Sequence, residues 1–335
     1  MRKNISLTKF FSFMMVIIVA IGLVGCNSET SEKSEPKSDN GTNDFSSVSI
    51  DTKFGEVNIE KEPKRIVALG WGDAETALAL GVEPIGASDW LGFGGEGVGP
   101  WLNGAYKTAP TILGTMELDY EQIASLEPDL ILDVRSSGDQ ERYNRLSEIA
   151  TTIGVPEGGD GYLTTYQQQV QIIAKALGKE AEGEQLLEDV ETAFEKAREE
   201  YPQFAGKTVA VGAYTSKGWG AYVTGDARTD FMTDLGFTNK EEIEKQANGA
   251  FYIPVADEQL ELLDADLTVV IPIWVDTKEI TDNALYQKIP SVADGRSIII
   301  DGDYADAFST GTAPAILWAI EQLPSMFNKA LESGE

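Results

Sequence analysis

Tryptophan, tyrosine and arginine are the side chains of this chain with binding chemistry to offer, and several fall directly after short β-branched runs. Trp71 follows the run 65–69, Trp90 the run 84–88 and Arg135 the run 130–134. In the second half Tyr214, Trp219 and Tyr222 cluster after 208–213, while Trp274 and Tyr304 follow 267–273 and 297–300. Open α/β sheets gather their ligands just beyond the carboxyl ends of strands, which makes these residues the candidates for a site. Indoles and phenols bury large flat surfaces and keep one polar atom each for a hydrogen bond. Lining one cleft, they suit a bulky organic ligand with apolar and polar parts. Arg135 and Arg228 are the two basic residues placed to join them as polar anchors. Trp101 and Trp318 read as core.

Other chemistries are closed by composition. There is no histidine, so neither a Ser-His-Asp nor a Cys-His arrangement can be built. Capture of bare zinc or manganese usually leans on imidazole, so no metal ligands are assigned. Counting leaves carboxylate pairs open, and with them a surface hydrolase as the remote alternative. Gly92, Gly94 and Gly97 match G-x-G-x-x-G, but Val98-Gly99-Pro100 follows where a helix should start, and the dinucleotide reading fails. Asp301, Asp303 and Asp306 lack the spacing of a calcium loop and read as a strand end and turn. The net charge of −29 repels nucleic acid and anionic lipid headgroups.

Two lobes must position these residues. The segment 121–132 (EQIASLEPDLIL) aligns with 258–269 (EQLELLDADLTV) at an offset of 137, each a short amphipathic helix running into a buried strand. A looser pair, Gly72-Asp73-Ala74 leading to Gly81 and Gly225-Asp226-Ala227 leading to Gly236, recurs in the same order. Repetition of this kind marks two similarly built units. Strands are expected at 65–69, 84–88 and 130–134 in the first and at 208–213, 267–273 and 297–300 in the second. Their continuous apolar character is that of strands covered on both faces. Between the units, Leu186, Leu187, Val190, Ala193, Phe194 and Ala197 form one helical stripe within 179–201, and Pro202 stops it. The expected fold is α/β: two similar sandwich lobes, 45–178 and 202–335, joined by one long helix, 179–201, which permits small closing motions.

The first 25 residues carry Arg2, Lys3 and Lys9 and then an apolar stretch too short to span a bilayer comfortably, as a signal peptide does. It closes on Leu23-Val24-Gly25-Cys26, which resembles the lipobox of bacterial lipoproteins, where cleavage precedes an acylated cysteine. Cys26 is the sole cysteine, so no disulfide framework competes for it. The signal holds three basic and no acidic residues, so its removal takes the charge from −29 to −32. Residues 26–44 offer no apolar side chains beyond Cys26 and read as a disordered, lipidated tether.

With these features assembled, the chain resembles the helix-bridged (class III) substrate-binding lipoproteins of iron-siderophore, haem and cobalamin ABC importers. The resemblance rests on segments 63–70 (PKRIVALG), 75–86 (ETALALGVEPIG), 121–132, 143–150 (YNRLSEIA), 289–295 (IPSVADG) and 315–320 (AILWAI), in that order. It implies a monomeric, non-enzymatic protein on the outer face of the cell membrane, held there by lipid at Cys26, in a Gram-positive-type envelope. It implies no cofactor: the ligand would be a ferric siderophore that holds its own iron, delivered to an ABC permease dimer with its ATPase. Few cations fall at strand ends, which favours a weakly charged hydroxamate or mixed hydroxamate-carboxylate chelate, with haem or cobalamin as the alternative. Hydroxamate-binding relatives often place an arginine shortly after the tryptophan near Trp219, where this chain has Gly220-Ala221-Tyr222. Family members also present one exposed glutamate per lobe to permease arginines. The repeat picks out Glu141, twelve residues after Asp129, and Glu279, thirteen after Asp266, with Glu258 as substitute.

Overall fold

A computed structural model describes residues 45–159 and 161–334. The signal peptide, Cys26 and the tether lie outside the described residues. The chain enters through an antiparallel hairpin, β1 (Val48–Thr52) and β2 (Gly55–Ile59). Then β3 (Ile66–Ala68), β4 (Gly86–Ser88), β5 (Thr111–Leu113), β6 (Leu130–Leu132) and β7 (Thr151–Ile153) form a wholly parallel sheet in the order β5-β4-β3-β6-β7. Successive side chains of a strand point to opposite faces. Thus Ile66, Ala68, Leu130 and Leu132 enter one core, while Val67, Leu69 and Ile131 enter a second on the other face. Both faces are buried, which is why these strands carry no polar alternation.

The second sheet contains β8 (Thr208–Thr215), β9 (Gly218–Tyr222), β10 (Thr238–Asn239), β11 (Tyr252–Val255), β12 (Leu267–Ile273) and β13 (Ser297–Ile299). Its order is β11-β9-β8-β12-β13, with β10 alongside β8. Unlike the first sheet it is mixed, because β8 turns straight back into β9 as a hairpin and β11 runs antiparallel to β9. It too separates two cores.

The repeat has a structural counterpart. β6 lies parallel beside β3, with Leu130 opposite Ile66; β12 lies parallel beside β8, with Leu267 opposite Val209. The aspartate opening each copy does the same work. Asp129 accepts from the Lys64 and Arg65 amides at 2.9 and 2.8 Å, and Asp266 from the Thr208 amide at 2.7 Å. Each carboxylate therefore ties down the start of the neighbouring strand. The preceding elements differ: the first copy is the α-helix Tyr120–Ser125, the second the 3₁₀ run Asp257–Leu263.

Helix Glu180–Glu200 joins the lobes and is about 32 Å long at 1.5 Å per residue. Val190, Phe194 and Ala197 sink into the second lobe's core, and Leu186 touches cores of both lobes. The C-terminal helix Ala313–Glu332 packs along it. The aspartates read as a strand end and turn prove helical: Asp303 and Asp306 lie on helix Gly302–Thr310, and Asp301 is its N-cap. Ala305, Ala307 and Phe308 on this helix bury against the second lobe's core, a tertiary contact that the spacing of the aspartates does not show.

Candidate functional site

In the first sheet β4 and β5 build out to one side of β3, and β6 and β7 to the other, so the crevice opens between β3 and β6. Trp71 leaves the first of these strands and Arg135 the second, and the Trp71 amide donates to the Arg135 carbonyl at 2.8 Å. The second sheet reverses between β8 and β12, where Pro272, Ile273 and Trp274 leave β12. Between these two sets of strand ends lies a cleft of about 510 Å³, within the range of small-molecule sites.

One wall is a three-ring stack. Trp71 lies between Trp90, centroids 4.4 Å apart at 8°, and Tyr162, 4.0 Å apart at 27°. Stacked aromatic pairs hold about 0.5–1.5 kcal/mol each beyond their buried area, so the wall is stiff. The Nε1 atoms of Trp71 and Trp90 are buried with no acceptor among the described residues. Groups of that kind carry an unpaid desolvation cost until an acceptor reaches them.

Asp73 holds this wall from behind. Its Oδ2 accepts from the Val134 amide at 2.8 Å and its Oδ1 from Gln169 Nε2 at 2.6 Å; the same amide nitrogen reaches the Trp71 carbonyl at 2.9 Å. Complete burial outweighs these bonds and pushes the Asp73 carboxyl up to about 6. Burial also raises Glu75, although it accepts from Thr312 Oγ1 at 2.6 Å, the Gly99 amide at 3.0 Å and Trp101 Nε1 at 3.2 Å.

Four ionisable groups line the cleft, two of each sign: Arg135, Arg228, Asp226 and Asp306. Arg135 is buried and donates to neutral carbonyls, from Nε to Tyr162 at 3.2 Å and from Nη1 to Thr310 at 2.7 Å. Arg228 pairs with Asp226 at 3.0 Å, donates from Nε to Ser309 Oγ at 3.1 Å and lies 4.2 Å over the Tyr222 ring. Burial works against the Arg228 charge, but Asp226 more than restores it.

The rim is apolar and exposed. Trp274 is 91% exposed, Met116 70% and Phe251 37%. Trp274 also has φ 54°, in the left-handed region that non-glycine residues adopt uncommonly. Met116 and Thr115 follow β5, and Tyr162 comes after β7. The runs 111–113 and 151–153 are part-exposed and carry no continuous apolar pattern, so nothing in the sequence marks them as strands with Thr115, Met116 and Tyr162 beyond their ends. Phe251 likewise has no such signal.

Of the nine residues expected to line the site, Trp71, Trp90, Arg135, Tyr222, Arg228 and Trp274 do so. Tyr214, Trp219 and Tyr304 do not. Because β8 turns back as a hairpin, Trp219 returns into the sheet opposite Tyr214. Both point to the face away from Tyr222, where Trp219 is 3% exposed and stacks on Tyr286 at 5.4 Å. Strand parity explains the difference, since positions 219 and 222 lie on opposite faces. Tyr304 sits on helix Gly302–Thr310 with its ring against Trp318, centroids 5.6 Å apart. Trp101 and Trp318 are half-buried and pack against the second lobe's core. Glu141 and Glu279 are exposed in the first turns of helices Gln140–Ser147 and Thr277–Thr281, each capped by an aspartate, Asp139 and Asp276.

A model of the family described as periplasmic binding protein matches residues 66–304. The chain belongs to that family. Among curated relatives, this binding protein is 26% identical to the probable siderophore-binding lipoprotein YfiY of Bacillus subtilis, over 90% of this chain and 91% of that one. It is likewise 26% identical to the Fe(3+)-citrate-binding protein YfmC of the same organism, over 96% of this chain and 98% of that one. Among solved structures it is similar to PiaA of Streptococcus pneumoniae in complex with ferrichrome, with a TM-score of 0.74 and 26% identity, covering 86% of this chain and 99% of that one. Two α/β lobes with a helical bridge place the binding protein in the class III architecture, and its family binds substrates for transport without transforming them.

Proposed function

We propose that this binding protein captures a ferric siderophore in the inter-lobe cleft and delivers it to the permease dimer of an ABC importer, with its ATPase. The supporting observation is a cleft whose aromatic walls carry a balanced set of two cations and two anions. Three hydroxamates neutralise ferric iron, giving a chelate with little net charge and much apolar surface. A tris-catecholate complex carries three negative charges and would need several unpaired cations; here Arg228 is already paired with Asp226. A hydroxamate or mixed hydroxamate-carboxylate chelate is therefore favoured. Ferrichrome, the ligand of the similar PiaA structure, is a hydroxamate chelate, while the relatives named for a siderophore and for ferric citrate support ferric-chelate capture in general.

Trp71, Trp90, Tyr162, Tyr222 and Trp274 supply the walls, and Arg135 a guanidinium bonded to carbonyls but to no carboxylate among the described residues. Glu141 and Glu279 are the permease contacts in this reading, one per lobe. Cys26 holds the protein by lipid to the outer face of the membrane. The test is a fluorescence titration with ferric hydroxamates, catecholates, citrate, haem and cobalamin. Quenching at the lowest concentrations by a hydroxamate or mixed chelate supports the reading; tight binding confined to haem or cobalamin overturns it.

A further inference from the structure

The four charges in the cleft are not equally satisfied. Asp226 is paired with Arg228, and Arg135 is held by two carbonyls. The carboxylate of Asp306 has neither a hydrogen-bond partner nor an ion pair among the described residues, although the residue is only partly exposed and lines the cleft. Its backbone carbonyl accepts from Thr310 Oγ1 at 2.7 Å, which fixes the last turn of its helix and leaves the side chain unengaged. Beside burial, the charge acting on it is Asp303, three residues earlier on the same helix, and both raise its pKa. A carboxylate in that state gains from any cation that comes within reach.

The ligand is what can come within reach. A cleft-facing carboxylate with no protein partner among the described residues is open to a cation brought by the ligand, and the strongly acidic chain, net −29, draws cations toward it. We infer that Asp306 selects chelates bearing a pendant ammonium group, so that the preferred ligand is a linear ferric hydroxamate ending in a primary amine. This rests on the siderophore reading above and narrows it. The ferric core would sit against the Trp90–Trp71–Tyr162 wall, and the ammonium would meet Asp306 on the opposite lobe. One interaction would then join both halves of the cleft to one molecule.

The experiment uses the full-length protein with two probes that differ in one charge: ferrioxamine B, whose chain ends in a primary amine, and its N-acetylated form. The amine-bearing chelate should bind about tenfold more tightly, a modest share of the Coulomb energy of such a pair at short range. That preference should shrink as salt rises and disappear in D306N. Equal affinity of the two chelates in the wild type overturns the inference while leaving the siderophore reading standing. Failure of both chelates to bind overturns the inference, and tight binding confined to haem or cobalamin overturns the siderophore reading with it. The wild-type comparison needs no variant, so it decides the matter even if D306N folds poorly.

Discussion

Arg135 of the first lobe donates from Nη1 to the Thr310 carbonyl of the second across 2.7 Å. Two residues on, Thr312 Oγ1 donates back to Glu75 of the first lobe at 2.6 Å. Both bonds grip one turn, between helices Gly302–Thr310 and Ala313–Glu332. The backbones come close enough there that only glycine fits: a Cβ on Gly72 would meet Thr312 Cγ2 at 2.2 Å, and one on Gly311, at φ 60°, would meet Ala227 Cβ at 2.4 Å. The same turn ends the helix that carries Asp306 and Ser309 into the cleft. The lobes are thus joined by hydrogen bonds at a point adjoining the cleft, which would be the pivot of any closing motion.

Thr312→Val keeps the shape of the side chain and removes the donor to Glu75, leaving a buried carboxylate short of a partner. A loss of about 1–3 kcal/mol is expected, measured by urea unfolding. Thr312→Ser keeps the hydroxyl and should recover most of it. Equal losses in both variants would show that the methyl contact, and not the bond, holds the pivot.

Trp90 and Trp219 should behave oppositely. Trp90→Ala removes part of the stacked wall and is expected to weaken chelate binding about tenfold, a change near 1.4 kcal/mol. Trp219→Ala hollows a core and should cost about 3–5 kcal/mol of stability with no change in affinity for protein that remains folded. Paired titration and thermal denaturation of the two variants read both quantities; weakened binding in W219A would return that residue to the site.

Asp73 ties stability to pH. Burial raises its carboxyl from the ordinary 3.8 to about 6, so the folded chain binds more protons than the unfolded one between those values. Stability from this group is present below pH 3.8 and lost as pH rises through 6. From pH 4 to pH 7 that loss is about 2–3 kcal/mol. Asp73→Asn cannot titrate, so the stability of wild type relative to the variant should fall by that amount over the interval. Urea titrations of both at each pH supply the comparison, and a constant difference would contradict it.

Replacing Glu141 and Glu279 together by alanine should abolish uptake of the ferric chelate by cells yet leave the affinity of the isolated protein unchanged. Both lie in first turns where an exposed acid contributes only tenths of a kcal/mol to its helix, so the fold should tolerate the change. Normal uptake by the double variant would move the permease contact elsewhere, with Glu258 the next residue to replace.

What local pattern encodes was readable from the chain alone. Continuous apolar runs are visible wherever helices cover both faces of a strand, so they mark β3, β6, β8 and β12, and the repeated Glu-Gln…Asp-Leu segments mark two lobes. The stripe Leu186–Val190–Phe194–Ala197 marked the bridging helix because burial on one helical face leaves a periodic trace. Strand ends then pointed to Trp71, Trp90, Arg135 and Trp274. β5 and β7 carry part-exposed residues and no continuous apolar run, so neither they nor Met116 and Tyr162 beyond them stand out in the sequence. Tertiary structure alone decided which face each later aromatic took, since a hairpin after β8 reverses the chain and parity sends Trp219 into a core and Tyr222 toward the cleft. It also decided which charges meet. Asp226 and Arg228 are near in sequence and pair, but the contact of Arg135 with Thr310, and the absence of a partner for the Asp306 carboxylate among the described residues, depend on how segments far apart in the chain pack against one another. Local sequence preferences act over a few residues, whereas a cleft is made by residues far apart in the chain, and nothing short of the packed structure sets their distance.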